Sequence, residues 1–327
     1  MPNNEIPVFN WNALPVDYPD QYEGLNRRYS HIYKSAADHL VSLAVVEPGN
    51  LAIDVGAGTG ISTESIAEAA GPSGRLLALE PSLPMLERAS GKTFPCGIEW
   101  AQGGAEDLVE SATDARFLDC DVILSSFTYY YTYQSRTNLH RAAYKILRPG
   151  GRWAFNLTKY LGEIKINGRW YNSFGKVYVD HLRSTLARHH IEPAEENGES
   201  SEQFTDTSWE SQQLRTAGFD NVHIEAWQLP LSPSEAFRFT LDGFYRHGSM
   251  VTFLPSLMSI PIAERIELLD EALATCADEL DSYEPPHIAN FVAQRPAHCG
   301  HADPRADRQG ARLHREYPAH PHRRIDQ

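Results

Sequence analysis

The 327 residues include 43 Asp and Glu against 29 Lys and Arg, a formal net charge of −14 at pH 7. Such a surface repels phosphate backbones, which argues against nucleic acid as the main partner. Cys96, Cys120, Cys276 and Cys299 form no CxxC pair, the N-terminus lacks a signal-peptide pattern, and no run approaches ~18 apolar residues; the expectation is a cytoplasmic α/β protein without disulfide framework, metal site or membrane span.

Residues 1–21 read as an irregular arm. In 22–46, Tyr29, Ile32, Tyr33, Ala36, Leu40, Leu43 and Ala44 fall at three- and four-residue steps, which predicts one amphipathic helix stopped by Pro48-Gly49. LAIDVG (51–56) reads as a short apolar strand, followed by a glycine turn and a helix from Ser62 to Ala70. RLLALE ends a second strand at Glu80, and Met85, Leu86 and Ala89 suit the next helix. A third strand is expected at 98–103 and a fourth at 121–127. A helix over 136–147 should stop at Pro149-Gly150-Gly151 before a fifth strand, 152–158. Strands alternating with helices predict a mostly parallel sheet covered on both faces, with its ligand-binding loops gathered at one edge.

The alternation then lapses. Residues 159–206 read as a partly helical insertion, after which Thr207 or Ser208 caps a helix over 209–217. Residues 220–229 and 288–294 supply a sixth and a seventh strand, so that 207–296 completes the sheet. Between them, 232–282 is aromatic and apolar at helical spacing, with a second helix over 262–280; both insertions are expected to act as lid segments. The stretch 295–327 holds seven Arg, five His and four Pro, so the tail 297–327 is expected to be disordered, and a natural chain end near Pro296 is an alternative.

The strongest chemical signal is Asp54-Val-Gly56-Ala-Gly58-Thr-Gly60, after a strand and before a helix. A dinucleotide fingerprint, GxGxxG, would put its third glycine at position 61, which is Ile61. An acid before GxGxG disfavours a pyrophosphate and suits a ligand with an amino group. Glu80, at the second strand's end, stands where an acid can accept both hydroxyls of a ribose.

With LALEPS and LRPGGRWAFN, these residues resemble the successive motifs of class I S-adenosylmethionine-dependent methyltransferases, over 22–158 and more loosely over 207–229 and 288–296. The resemblance implies a Rossmann-like seven-stranded sheet with helices on both faces, an N-terminal helix and a last strand antiparallel to the rest. It implies S-adenosylmethionine as cofactor, with the loop Gly56, Ala57, Gly58 and Gly60 beneath its methionine part and Asp54 supporting that loop. Glu80 would hold the ribose, with Pro81, Ser82 and Met85 beside the adenine and Ser125 next to the methionine portion. Where the family often has Asp, this chain has Gly104, so Ala105 and Glu106, or Asp107, would complete the adenine contacts.

The acceptor side is less marked. Tyr29, on the N-terminal helix, is a candidate cofactor contact through its aromatic face. Tyr129 and Tyr131 follow the fourth strand and, with Phe244 and His247, are the candidate substrate contacts; His247 is also the candidate general base. The expected reaction is methylation of a small, largely apolar organic acceptor on O, N or C. The alternatives are a non-methylating cofactor-binding protein or cyclase on the same fold and, third, a Rossmann oxidoreductase.

Overall fold

In the computed structural model, which describes residues 17–129, 136–157, 163–192, 206–245, 257 and 260–297, the chain opens with two helices, Tyr18–Arg28 (α1) and Ile32–Leu43 (α2). The single helix expected over 22–46 is therefore broken. Ser30 and His31 take left-handed backbone conformations (φ 52° and 51°) at the corner, and the buried spacing resumes with Ile32, Tyr33, Ala36 and Leu40. The apolar rhythm runs straight through the break, so periodicity carries no sign of it.

Alternating units follow: Leu51–Val55 (β1), Ile61–Ala70 (α3), Arg75–Glu80 (β2), Leu83–Ser90 (α4), Gly97–Gln102 (β3), Leu108–Asp114 (α5), Cys120–Ser125 (β4), Arg136–Ile146 (α6) and Leu147–Leu157 (β5). Next come a small hairpin, Ile164–Ile166 (β6) and Arg169–Tyr171 (β7), and the helix Gly175–Arg188 (α7). Thr207–Thr216 (α8), Asp220–Gln228 (β8), Pro233–Thr240 (α9), Ile262–Leu280 (α10) and His287–Gln294 (β9) close the described chain. The main sheet has seven strands in the order β3-β2-β1-β4-β5-β9-β8. Only β9 runs against its neighbours, with Asn290 opposite both Asn156 and Glu225.

Two local expectations are corrected. Pro149-Gly150-Gly151 does not separate a helix from a strand but bulges within β5, whose pairing with β4 jumps from Cys120↔Leu147 to Val122↔Arg152. Backbone bonds from Gly150 N–H to the Arg295 carbonyl (2.9 Å) and from Arg295 N–H to the Gly151 carbonyl (2.8 Å) hold the bulge. The cap of α8 is Asp206, whose carboxylate accepts the Ser208 N–H, rather than Thr207 or Ser208.

One face of the sheet buries Ile123, Trp153, Phe155 and Phe291 against α5, α6 and α8; the other buries Leu124, Ala154 and Val292 against Leu40 and Val41 of α2 and Ile66 of α3. The two insertions share a core of their own, with Phe174, Tyr178 and Leu182 against Phe237, Leu269 and Leu273. Each such side chain, once fully buried, contributes on the order of 1.5–3 kcal/mol. Six of them make this a packed layer rather than a pair of solvated loops.

Candidate functional site

At the C-terminal end of β1 the chain turns through Gly56-Ala57-Gly58-Thr59-Gly60 into α3. The N–H groups of Gly56 and Ala57 both donate to the Leu79 carbonyl at 2.9 Å, which pins the turn to β2. Gly56 takes φ +79°, and a Cβ there would lie 2.1 Å from Thr128 Cγ2. Thr128 in turn donates its hydroxyl to the Gly56 carbonyl at 3.1 Å. Only glycine satisfies both the left-handed backbone and this close approach.

Asp54 is fully buried beneath the turn, where its Oδ2 accepts the hydroxyls of Ser62 (2.8 Å) and Thr63 (2.7 Å). Burial raises its pKa to about 6, although the two hydroxyl donors pull the other way. Glu80 reaches back from the end of β2, with Oε2 accepting Gly58 N–H and Oε1 accepting Ser82 N–H, both at 2.8 Å. Burial pushes its pKa up to about 7; the Ser82 and Gly58 N–H groups lower it, and the charge of Asp54 adds to the rise. Around this loop Asp54 Oδ1, Thr59 Oγ1, Ser82 Oγ and Ser125 Oγ are buried without a hydrogen bond among the described residues. Buried polar atoms in folded proteins nearly always have partners, so four orphans around one turn mark a place where a polar ligand completes the bonding.

Residues 52–151 match a family model described as a methyltransferase domain. This stretch is a methyltransferase domain, and its cofactor is S-adenosylmethionine. Among solved structures it is similar to the apo form of the mycolic acid cyclopropane synthase CmaA1 (13% identity over 86% of this chain and 100% of that one, TM-score 0.53). It is also similar to the cyclopropane synthase MmaA2 from Mycobacterium tuberculosis (14% identity, 80% and 83% covered, TM-score 0.47). A third similar structure is the [4+2]-cyclase SpnF (14% identity, 81% of each chain, TM-score 0.45).

The methyltransferase cofactor, S-adenosylmethionine, fits the donor set: two buried carboxylates and four orphaned oxygens suit a ligand bearing cations and hydroxyls. Met85 is buried against the same turn, its Cε 3.8 Å from where a Cβ on Gly58 would stand. Pro81 is half-buried, its carbonyl taken by Gln102 at 3.3 Å. Ala105 is buried in the following 3-10 turn. Glu106 is exposed and folds over Gly104, whereas Asp107 is occupied by the Gly104 N–H at 2.9 Å.

Helix α1 covers the methyltransferase cleft. Tyr22 and Tyr33 stack with ring centroids 4.4 Å apart and line it together with Gly56, Ala57, Ile61, Ser62, Ser126 and Phe127. Tyr18 is buried near Glu80, and burial together with that carboxylate pushes its phenol up to about 12. One flank of α1 is tied down through Glu23, which accepts from Arg88 (3.0 Å) and Lys92 (2.7 Å); Lys92 also donates to the Thr59 carbonyl at 2.7 Å. The far end is tied through Asp242, which accepts Tyr29 Oη at 2.6 Å and Arg28 at 2.8 Å. Tyr29 thus bonds the turn after α9, with its ring edge-on to Phe239, in a buried cluster that also holds Tyr33 and Ile61.

Tyr129 does not line the cleft. It is fully buried in the core, its hydroxyl bonded to Glu210 and to His140 Nε2 (2.8 Å), with the Arg136 guanidinium 4.7 Å from its ring centroid. His140 completes this network through Glu210 (2.9 Å) and the Trp153 N–H (3.0 Å). Phe127 takes a left-handed backbone conformation (φ +56°) just past β4, and Glu210 and His140 hold Tyr129 in the core. Tyr131, His247 and the Phe244 side chain lie outside the described residues. Tyr22, Phe127 and Thr128 had no signal beyond their nearness to recognised motifs; Asn156, a polar residue inside the apolar run WAFNL, was a legible one.

Proposed function

We propose that this methyltransferase acts in the cytoplasm on a small, largely apolar organic acceptor, with no nucleic acid or membrane as partner. The observation that carries this reading is the cleft wall, where Tyr22, Tyr33 and Phe127 enclose the space beside the glycine loop under α1 and α2. An aromatic wall beside the glycine loop favours a small molecule over a polymer. No helix among the described residues is long and apolar enough to cross a membrane, and the net charge of −14 disfavours phosphate backbones.

The segment 22–158, completed by 207–296, is read as the cofactor-binding core, with 159–206 and 232–282 as its lid. S-adenosylmethionine supplies an electrophilic methyl group on a sulfonium centre. Glu80 keeps lone pairs free beyond its two backbone donors and would accept the ribose hydroxyls. Asp54 Oδ1 and Ser125 Oγ offer acceptors toward the ammonium, directly or through water, and Met85 packs beside the adenine. The tyrosine faces of α1 and α2 exclude water and hold the acceptor in line, which supplies much of the rate in such transfers.

The test is transfer of a labelled methyl group from S-adenosylmethionine to a panel of small aromatic and aliphatic alcohols, amines and activated carbon acids. A methylated product in any arm supports the assignment, and its structure identifies the atom methylated. Tight S-adenosylhomocysteine binding with no transfer across the panel would favour the cyclase or scaffold reading instead.

A further inference from the structure

A second polar feature lies outside the cofactor loop, on the sheet face beneath α2. Asn290 of β9 is 1% exposed, and neither its Nδ2 nor its Oδ1 has a hydrogen bond among the described residues. A side-chain amide buried in this way forgoes up to four hydrogen bonds, which folded proteins seldom tolerate. Its register partners place it. Asn290 stands opposite Asn156 of β5 on one side and Glu225 of β8 on the other, and opposed residues of antiparallel strands share a face.

Asn156 connects this position to the cleft. Its Oδ1 accepts the Phe127 N–H at 2.7 Å and its Nδ2 donates to Ser126 Oγ at 3.2 Å, and both of those residues line the cleft. Along the strand, Ile288 and Val292 flank Asn290 on the same face within apolar clusters that include Ala36 and Leu40 of α2. Ala36 is itself fully buried, a small side chain in the middle of the covering helix.

We propose that Asn290, next to Asn156, forms a neutral hydrogen-bonding subsite that takes a hydroxyl group at the inner end of the acceptor cleft. The carboxamide offers one donor group and one acceptor in apolar surroundings, which suits a group that both donates and accepts. A neutral occupant is favoured over an ion, because the one carboxylate in register with the amide, Glu225, is already bonded to His39 Nε2 at 2.7 Å and an unpaired buried charge is costly. The hydroxyl has two sources, the acceptor molecule or an ordered water. The cleft's acceptor role rests on the methyltransferase reading; the unmet bonding of Asn290 does not.

The experiment uses the full chain saturated with S-adenosylhomocysteine and phenol as the hydroxyl probe. Binding is followed by calorimetry and by the side-chain amide resonance of Asn290 in the wild type, and the same complex is solved at high resolution. Asn290→Leu keeps volume but removes both bonding partners; Asn290→Ser retains a hydrogen-bonding group should the leucine variant fail to fold. Phenol binding that shifts the Asn290 amide and weakens about tenfold in Asn290→Leu, with a smaller loss in Asn290→Ser, assigns the hydroxyl to the acceptor. No phenol effect, with an ordered water bonded to the amide, assigns it to solvent and supports the subsite. An amide bonded only to protein atoms, with phenol binding absent or equal in all three proteins, overturns the proposal. Failure of S-adenosylhomocysteine to bind the wild type would instead sink the cofactor reading, whatever the state of Asn290.

Discussion

Replacing Gly56 by alanine tests the architecture of the cofactor turn more sharply than any charge change. The added Cβ meets three atoms of Thr128, at 2.1, 2.3 and 2.6 Å, on a backbone already at φ +79°. Left-handed backbone costs a non-glycine residue roughly 1–2 kcal/mol, and forced overlap in a packed site adds about 1–3 kcal/mol. Together Gly56→Ala should cost about 2–5 kcal/mol. Gly58→Ala is the control, because the nearest atom to its new Cβ is Met85 Cε at 3.8 Å, and left-handed strain alone, about 1–2 kcal/mol, remains. Thr128→Gly removes all three clashing atoms, so in that background Gly56→Ala should fall to the level of Gly58→Ala. Urea unfolding of the four variants measures the stabilities, and S-adenosylhomocysteine calorimetry reports the turn. Equal costs for Gly56→Ala with and without Thr128 would refute the reasoning, since no coupling would then exist between the two positions.

The folded-state pKa values of Asp54 and Glu80, about 6 and about 7, lie above the ordinary 3.8 and 4.5, so these two groups favour the unliganded fold at mildly acid pH and cost stability as pH rises through that window. Because the cofactor is a cation, S-adenosylmethionine affinity should instead rise up to about a hundredfold per pH unit below about 6, up to about tenfold per unit between about 6 and about 7, and level off above; Glu80→Gln should remove the upper inflection, and an unchanged calorimetric pH profile would count against it. Glu210→Ala strips Arg136, 1% exposed, of its carboxylate partner and should cost about 3–5 kcal/mol in urea unfolding, with part recovered in the Arg136→Leu background. Asp242→Ala releases the far end of α1 and should speed S-adenosylhomocysteine dissociation about tenfold in stopped flow; an unaltered off-rate would show that α1 does not gate the cleft.

What was legible in the sequence is what local chemistry governs. The apolar run before Asp54, the glycines after it and the acid closing β2 each follow from short-range rules, and the strands they imply form within a residue or two of expectation. The α1–α2 corner was not legible, because Ser30 and His31 adopt left-handed backbone without a glycine or proline to announce it. Tyr129 misled for a different reason. Its place after β4 suggested the cleft, but its direction is set by Glu210 and His140, which reach it from 81 and 11 residues away. Asp242 and Asn290 belong to the same class, since their meaning comes from partners, or missing partners, that only the folded chain brings together.

The turn after α9, Leu241–Tyr245, is wound as a π-helix. A π segment holds one more residue than the α-helical turn it replaces, and deleting that residue would rotate everything beyond it by about 100°. Asp242 sits inside this segment and is 7% exposed. Deleting Leu241, the one residue of the segment that precedes Asp242, would therefore swing the carboxylate away from Arg28 and Tyr29, unhooking the amino-terminal helix while leaving every side chain of the hook in the sequence.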